Sequence, residues 1–146
     1  MIAMDTNILV HAHQKEASLH RAAQDAVRSM AESSAPWGIC FHSLAEFYGV
    51  VTHPRLWTRA SSPEEAMDQI RAWRESPRLR ILGDLEEMLP LLERLVLAAR
   101  IRAGQVHDAR IAACCLAHGV SELWTVDRDF SRFPELRTRN PLVGEV

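Results

Sequence analysis

Four acidic residues stand at places where their side chains could meet in the folded chain. Asp5 and Asp127 each follow a short apolar run, whereas Glu46 and Asp108 each lie in the first turn of a predicted helix. Carboxylates brought together raise one another's pKa unless a hard divalent cation neutralises them. The pattern therefore predicts a Mg²⁺ site, and a cation held there could activate water and polarise a phosphodiester.

Several polar residues beside these acids could support such a site. Thr6, Asn7 and Ser43 are placed to orient the carboxylates by hydrogen bonding. The predicted helix N-termini at Ser43 and Asp108 would add partial positive charge for a phosphate. We therefore expect a cation site with phosphate-binding character.

Each acid also has a purely structural interpretation. Asp5 and Asp108 could be helix caps, and Glu46 could close a capping box opened by Ser43. Asp127 or Asp129 could simply form a turn. Four such residues together are less easily explained as separate structural features. Carboxylates repel one another, so they are unfavourable at several strand ends that face one crevice.

The elements that must position these acids alternate between strands and helices. Apolar, β-favouring runs predict strands at 2–4, 37–41, 78–82 and 123–126, with a short last strand at 136–138. Helical periodicity, together with start and stop signals, predicts five helices. They cover residues 18–30, a segment that begins at 43, residues 63–73, residues 84–102, and a segment that begins at 108 and ends at the glycine at 119. This alternation predicts an α/β fold with a mostly parallel sheet of four to five strands flanked by helices, and ligands bind such sheets beyond the carboxyl ends of the strands.

Length and composition are those of one globular domain, here residues 1–146. Hydrophobic residues make up 47% of the chain and charged residues 25%. No apolar run approaches the roughly 18 residues of a membrane span, and Asp5 interrupts the opening segment. Cys40, Cys114 and Cys115 are an odd number without metal-site spacing. We expect a cytoplasmic protein with reduced thiols and no membrane contact.

The charge distribution leaves two interpretations of the arginines open. The formal net charge is −2, which is not typical of a nucleic-acid binder. Lys15 is the only lysine, and eight arginines fall in two groups that could form a phosphate-binding rim or merely solvated faces: Arg71, Arg74, Arg78 and Arg80, then Arg128, Arg132, Arg137 and Arg139.

At this point the residues carry a family resemblance over essentially the whole chain. The segments MDTNILV, SLAEFYGVV, VHDARIAA and LWTVDRDFSRF resemble, in order and separation, the acidic motifs of PIN-domain ribonucleases. The ending DRDFSRFPELRTRNP is most similar to the VapC toxins of type II toxin-antitoxin pairs. Each motif alone is short, but four in order are fairly specific.

The resemblance implies more than spacing does. It implies a three-layer PIN-like fold and a Mg²⁺- or Mn²⁺-dependent endoribonuclease that acts on RNA, often transfer or ribosomal RNA. It also implies a homodimer and a small VapB-like antitoxin that inhibits the enzyme. By matching motifs, Asp5, Glu46 and Asp108 take metal-site roles, and the fourth position is Asp127 or Asp129, with Asp127 favoured because it ends the predicted strand.

Two other functions remain as alternatives. His107 and Asp108, with His53 and Asp127, could belong to a His-Asp metal phosphohydrolase, but that fold is all-helical and the predicted strands argue against it. A catalytically inactive PIN-like module that binds RNA or protein would keep the same fold, because a fold does not by itself imply an activity.

Overall fold

A five-stranded parallel sheet runs through the computed structural model, which describes residues 1–144. The strand order is β3-β2-β1-β4-β5. Strands β2 and β3 follow on one side of β1, and strands β4 and β5 follow on its other side. The order of the strands therefore reverses between β1 and β4. Crevices at such a reversal are the usual ligand sites of open α/β sheets. The strands are β1 Ile2–Met4, β2 Trp37–Cys40, β3 Leu79–Leu82, β4 Glu122–Trp124 and β5 Thr138–Arg139.

Helices cover both faces of the sheet and give the chain three layers. Alternating strand residues separate the two cores: Met4 and Ile39 pack with the first four helices, whereas Ala3 and Cys40 pack with the last two. The helices are α1 Thr6–His13, α2 His20–Glu32, α3 Phe41–Val51, α4 Pro63–Arg74, α5 Met88–Ala99 and α6 Val106–Ala117, with 3₁₀ turns at Ala103–Gln105 and Arg128–Arg132. The predicted α/β class is confirmed, and the sheet rules out the all-helical alternative.

The start of α3 differs from the prediction. The helix begins at Phe41 with Cys40 at its N-cap, so Ser43 lies inside the first turn and does not cap it. The predicted capping box of Ser43 and Glu46 is therefore wrong. Strand β2 ends at Cys40 and the chain turns at once into the helix, which moves the helix start two residues earlier than the cap signal indicated.

The bounds of β4 and α5 also differ from the prediction. Strand β4 ends at Trp124, not at 126, so Asp127 follows the strand after two intervening residues. The helix predicted over 84–102 forms only from Met88 to Ala99, which leaves Pro90 in its first turn, where a missing N–H costs nothing. Arg100 ends it in a left-handed conformation with φ of 55°, so Gly104 is not the stop. Within residues 1–144, no helix has both the length and the apolar character that crossing a membrane requires.

Candidate metal centre

Asp5 is the most deeply buried of the candidate acids, with 4% of its surface exposed. It directly follows β1 and caps the N-terminus of α1. Its Oδ1 accepts a hydrogen bond from the backbone N–H of Thr6 at 2.8 Å. Its Oδ2 accepts from Asn7 Nδ2 at 3.1 Å and from the Thr125 hydroxyl at 2.7 Å. The carboxylate is thus held in one orientation by donors from both sides of the sheet reversal.

The electrostatic environment of Asp5 disfavours its negative charge. Burial raises the pKa of Asp5 to about 7, against the opposing hydrogen bonds from Thr125 and Thr6, and the nearby Asp108 and Glu46 raise it further. A bound cation would reverse this balance by stabilising the ionised carboxylate. A cation bound next to the Asp5 carboxylate would therefore lower its pKa and stabilise its ionised form.

Glu46 reaches the same place from the middle of α3, one turn later than predicted because the helix begins at Phe41. Its Oε1 accepts a 2.9 Å hydrogen bond from the Thr6 hydroxyl, so α1 and α3 are linked beside the site. His42 Nε2 lies 3.7 Å from the same oxygen. Thr6 therefore contributes twice, through its backbone to Asp5 and through its side chain to Glu46, as the sequence led us to expect of a supporting residue.

Asp108 lies in the first turn of α6, and its carboxylate meets two more from the turn after β4. One carboxylate oxygen from each of Asp108, Asp127 and Asp129 lies within 4.8 Å of the other two. Burial, followed by repulsion from Asp127 and Glu46, raises the pKa of Asp108. This cluster joins the acids of the second half of the chain to those of the first.

The turn after β4 shows how Asp127 combines a structural role with its place in the cluster. Asp127 Oδ1 accepts a 2.8 Å hydrogen bond from the Asp129 backbone N–H and so caps the 3₁₀ turn. The Asp127 N–H donates in turn to the Thr125 hydroxyl at 3.0 Å. The expectation that Asp127 ends the strand is thus corrected, because Thr125 and Val126 form a short connection between strand and acid.

Sequence reasoning missed Thr125. Only 3% of its surface is exposed, and its hydroxyl contacts Asp5, Asn7 and the backbone of Asp127. The available signal was a hydroxyl residue at the end of an apolar run, two positions before a candidate acid. It was overlooked because β-branched threonine also fits an ordinary strand position.

A cleft of about 230 Å³ opens at the point where these elements meet. Four carboxylates line this cleft, those of Asp5, Glu46, Asp108 and Asp127. The polar residues Thr6 and Asn7 also line it, and its less polar side consists of Val10, His11 and Val50. Asp129 joins from the edge through the cluster with Asp108. A set of carboxylate oxygens, two of them on Asp5 and Asp108 with raised pKa values, fits a hard divalent cation such as Mg²⁺.

Ser43 does not support the site in the way we expected. Its hydroxyl is fully buried and has no hydrogen-bond partner within residues 1–144. The expectation that it orients a carboxylate is therefore wrong for this structure. The early start of α3 explains this, because Ser43 falls on the buried face of the helix while Glu46 bonds to Thr6.

The first arginine group lies in α4 and at β3, and the second lies in the 3₁₀ turn after β4 and at β5. Strands β3 and β5 are the two edges of the sheet. Several of these arginines have acidic partners. Arg137 contacts Glu122 at 3.1 Å, and Arg132 lies 3.9 Å from Asp129. Arg132 also lowers the pKa of Asp108, so it is close enough to the cleft to influence it.

The chain matches a known protein family over most of its length. The model of the PIN domain family matches residues 2–136. Ribonuclease VapC43 of Mycobacterium tuberculosis is 30% identical over 146 residues, which cover 100% of this chain and 99% of the relative. Ribonuclease VapC48 of the same species is 29% identical over 140 residues, with coverage of 96% and 97%.

Solved structures share the fold. VapBC2 from Rickettsia felis, bound to a promoter DNA fragment, aligns with a TM-score of 0.69 and 22% identity, covering 96% of this chain and 98% of that one. Mycobacterium tuberculosis VapC20, described as a sarcin-ricin loop cleaving toxin, aligns with a TM-score of 0.67 and 18% identity over 90% and 93%. FitAcB from Neisseria gonorrhoeae aligns with a TM-score of 0.67 and 19% identity over 97% and 98%.

Proposed function

The chain belongs to the PIN-domain family, among its VapC ribonucleases, and from that premise we propose that it cleaves RNA at the carboxylate cleft in a Mg²⁺-dependent reaction. The observation that carries the proposal is the convergence of Asp5, Glu46, Asp108 and Asp127 on one cleft, although they come from four separate segments of the chain. Mn²⁺ has the same preference for oxygen ligands and could replace Mg²⁺.

Each residue has a role in this proposal that follows from its contacts. Asp5 and Asp108 would hold the cation, and Glu46 and Asp127 would complete the set of ligands, with Asp129 as the alternative to Asp127. When bound, the cation lowers the pKa of a water molecule and offsets charge on the phosphate. Thr6, Asn7 and Thr125 hold Asp5 and Glu46 in place by the hydrogen bonds described above.

The N-terminal turn of α6 favours the binding of an RNA phosphate close to the acids. The helix dipole places partial positive charge there, and the Val106 N–H already donates to the carbonyls of Ala103 and Gly104 in the preceding 3₁₀ turn. Asp108 lies in this turn, so a phosphate drawn to the helix end would lie beside the cation. The apolar side of the cleft, at Val10 and Val50, reduces competition from water.

RNA cleavage by the purified chain tests the proposal. Labelled transfer and ribosomal RNA should be cleaved with Mg²⁺ and left intact with a chelator. Asp5→Asn and Asp108→Asn should abolish cleavage while circular dichroism shows a folded chain. Asp25→Asn is the matched control, because Asp25 is an exposed acid on α2 that pairs with Arg28. Retained cleavage in both site variants would reject this ligand assignment, and metal binding without any cleavage would favour the inactive binding module.

We also propose two protein partners, a second copy of the chain and a VapB-like antitoxin. A solved structure from Klebsiella pneumoniae that shares the fold, with a TM-score of 0.64 and 18% identity, is described as a toxin-antitoxin complex. On this chain, α5 and the loop before it expose Leu85, Leu89 and Leu97 by 41%, 69% and 59%, an apolar surface suited to association. Light scattering should give twice the chain mass, and co-expression with the neighbouring small reading frame should block RNA cleavage.

A cytoplasmic location is part of the same proposal. The RNA substrate is found there, and three buried free cysteines are consistent with a reducing compartment.

A further inference from the structure

His11 lines the carboxylate cleft, and the nuclease proposal gives it no role. It lies in the last turn of α1, where the backbone carbonyls have no partner within the helix. The carbonyl of His11 instead accepts a 2.9 Å hydrogen bond from Nδ1 of His20, the first residue of α2. This bond ties the end of α1 to the start of α2, so the backbone that carries the His11 ring is held in place.

The two ring nitrogens of His11 have different surroundings. Nδ1 is buried and has no hydrogen-bond partner within residues 1–144. Nε2 is not buried in this way, so it is the nitrogen that can meet a ligand in the cleft. His13, on the same helix, is a contrast, because its Nδ1 lies 3.0 Å from Gln69 Oε1 and its Nε2 lies 2.8 Å from Ser61 Oγ. Contacts within the chain thus occupy both ring nitrogens of His13 and leave His11 available.

The buried nitrogen determines which tautomer of the His11 ring is favoured. A neutral imidazole has one N–H donor and one acceptor nitrogen. A buried N–H without a partner is rarer in proteins than an acceptor that lacks one, so the proton is better placed on Nε2 than on Nδ1. Burial also lowers the pKa of His11, which keeps the ring neutral at neutral pH. His11 therefore offers the cleft an N–H donor.

Two valines line the same side of the cleft as this donor. Val10 precedes His11 on α1, and Val50 lies in the last turn of α3. The carbonyl of Val50 accepts a 2.9 Å hydrogen bond from the Trp57 indole, so the loop after α3 holds this part of the wall. Aliphatic carbon with one N–H donor suits a flat, mostly apolar ring whose edge carries an acceptor. A nucleobase of RNA has this chemistry.

We propose that Val10, His11 and Val50 form a nucleobase subsite beside the metal centre, in which His11 Nε2–H donates to a keto oxygen of the base. The inference rests on the proposed function and adds a base preference to it. Uracil and guanine present a keto oxygen where cytosine and adenine present an amino group, so the subsite favours uracil and guanine. His11 cannot turn its donor into an acceptor without burying an unpaired N–H at Nδ1, and the wrong base is therefore rejected.

NMR of the imidazole nitrogens tests the donor without relying on cleavage. Long-range ¹H–¹⁵N spectra of the full chain should show a neutral His11 ring with its proton on Nε2, and the His11→Phe spectrum identifies that signal. Uridine and cytidine monophosphate are then titrated with Mg²⁺ present. They hold no phosphodiester bond to cleave and differ only on one edge of the base. Uridine monophosphate should shift the Nε2 signal and bind about 3- to 10-fold more tightly, as expected of one hydrogen bond.

Three variants identify the hydrogen bond. His11→Phe keeps a flat ring without nitrogens and should bind the two nucleotides equally. It also removes the partnerless Nδ1, so thermal unfolding should show it to be at least as stable as the wild type, which a purely structural role of His11 does not predict. His11→Gln supplies an amide donor and should recover part of the uridine preference. His53→Ala is the matched control, because His53 is exposed and lies outside the cleft lining.

Several results would overturn the subsite. They are a proton on Nδ1, a wild type that binds neither nucleotide or binds both equally, and an unchanged uridine preference in His11→Phe.

Cleavage of RNA of random sequence separates failure of this inference from failure of the nuclease proposal. The wild type should select uridine or guanosine beside the cut about 3- to 10-fold more strongly than His11→Phe does. Equal selection by two active chains would reject the subsite and leave the nuclease. A uridine preference that depends on His11, in a chain that cleaves no RNA, would sustain the subsite and reject the nuclease.

Discussion

The Thr125 hydroxyl donates a 2.7 Å hydrogen bond to Asp5 Oδ2, although the two residues are 120 positions apart in the chain. The Thr125 hydroxyl oxygen itself accepts from Asn7 Nδ2 at 3.1 Å and from the Asp127 backbone N–H at 3.0 Å. One buried hydroxyl thereby links the end of β1, the start of α1 and the turn that carries Asp127. This hydroxyl therefore fixes the position of Asp5 relative to Asp127.

Replacing this hydroxyl should damage both stability and activity. In Thr125→Val the carboxylate of Asp5 and the N–H of Asp127 lose a partner, which should lower the free energy of unfolding by about 1 to 3 kcal/mol. Magnesium affinity or RNA cleavage should fall by roughly 10- to 100-fold. Urea unfolding and initial cleavage rates measure the two effects. Thr125→Ser keeps the hydroxyl and should restore most of both, and a Val variant equal to wild type would contradict this role.

The stability of the metal-free chain should decrease as pH rises. The pKa of Asp5 is about 7 in the folded chain and 3.8 in an unperturbed side chain, so the folded state binds more protons between these values. The stability from protonated Asp5 is complete below about pH 4 and is lost as pH rises through 7. Asp5→Asn cannot ionise and should be more stable than the wild type at pH 8 without metal.

Thermal unfolding of the two chains at pH 5 and pH 8, in a chelator, measures this difference. The wild type should lose more stability between the two pH values than Asp5→Asn does. Adding Mg²⁺ at pH 8 should stabilise the wild type and leave the variant almost unchanged. Parallel pH profiles for the two chains would show that Asp5 does not carry a raised pKa.

The two candidate acids after β4 should differ in their effect on metal binding. Asp127 lines the cleft, whereas Asp129 contacts it only from the edge and lies 3.9 Å from Arg132. Asparagine also caps a helix, so Asp127→Asn keeps the turn while removing a charge. Asp127→Asn should weaken Mg²⁺ binding by roughly 10-fold or more, and Asp129→Asn should have a much smaller effect. The reverse order would make Asp129 the fourth ligand.

Ser43→Ala should be harmless or mildly stabilising. The Ser43 hydroxyl is buried without a partner, so its removal relieves a desolvation penalty, and alanine is the better helix former. We expect the free energy of unfolding to rise by up to about 1 kcal/mol, with unchanged RNA cleavage. Ser62→Ala is an informative contrast, because Ser62 closes a genuine capping box with Glu65 and its loss should destabilise α4. A loss of cleavage in Ser43→Ala would restore the supporting role that the sequence suggested.

Most of the fold could be predicted, because strands and helices alternate and proline, glycine and capping residues mark where the helices start and end. The acids at 5, 46 and 108 follow directly from that alternation, since parallel strands bring their carboxyl ends to one edge. Pro63 with Ser62 and Glu65 marks α4 correctly, and Gly119, with φ of 68°, ends α6 as expected.

The errors arose where tertiary contacts override local signals. Ser43 and Glu46 have the spacing of a capping box, but strand β2 ends at Cys40 and α3 begins at the next residue, Phe41. The hydroxyl of Thr6 binds Glu46 across 40 residues, and Thr125 binds Asp5 across 120. Such pairings depend on the assembled sheet. The facing of His42 and His107 is equally invisible in sequence, because 65 residues separate them.

The most direct test of the central claim is to locate the cation itself. Crystals of the chain grown or soaked with Mn²⁺ should show an anomalous difference peak in the cleft, within about 2.0 to 2.6 Å of carboxylate oxygens from Asp5 and Asp108. The peak should be absent in Asp108→Asn crystals prepared in the same way. A cleft that stays empty at saturating Mn²⁺, or a peak bound only by residues outside it, would contradict the account.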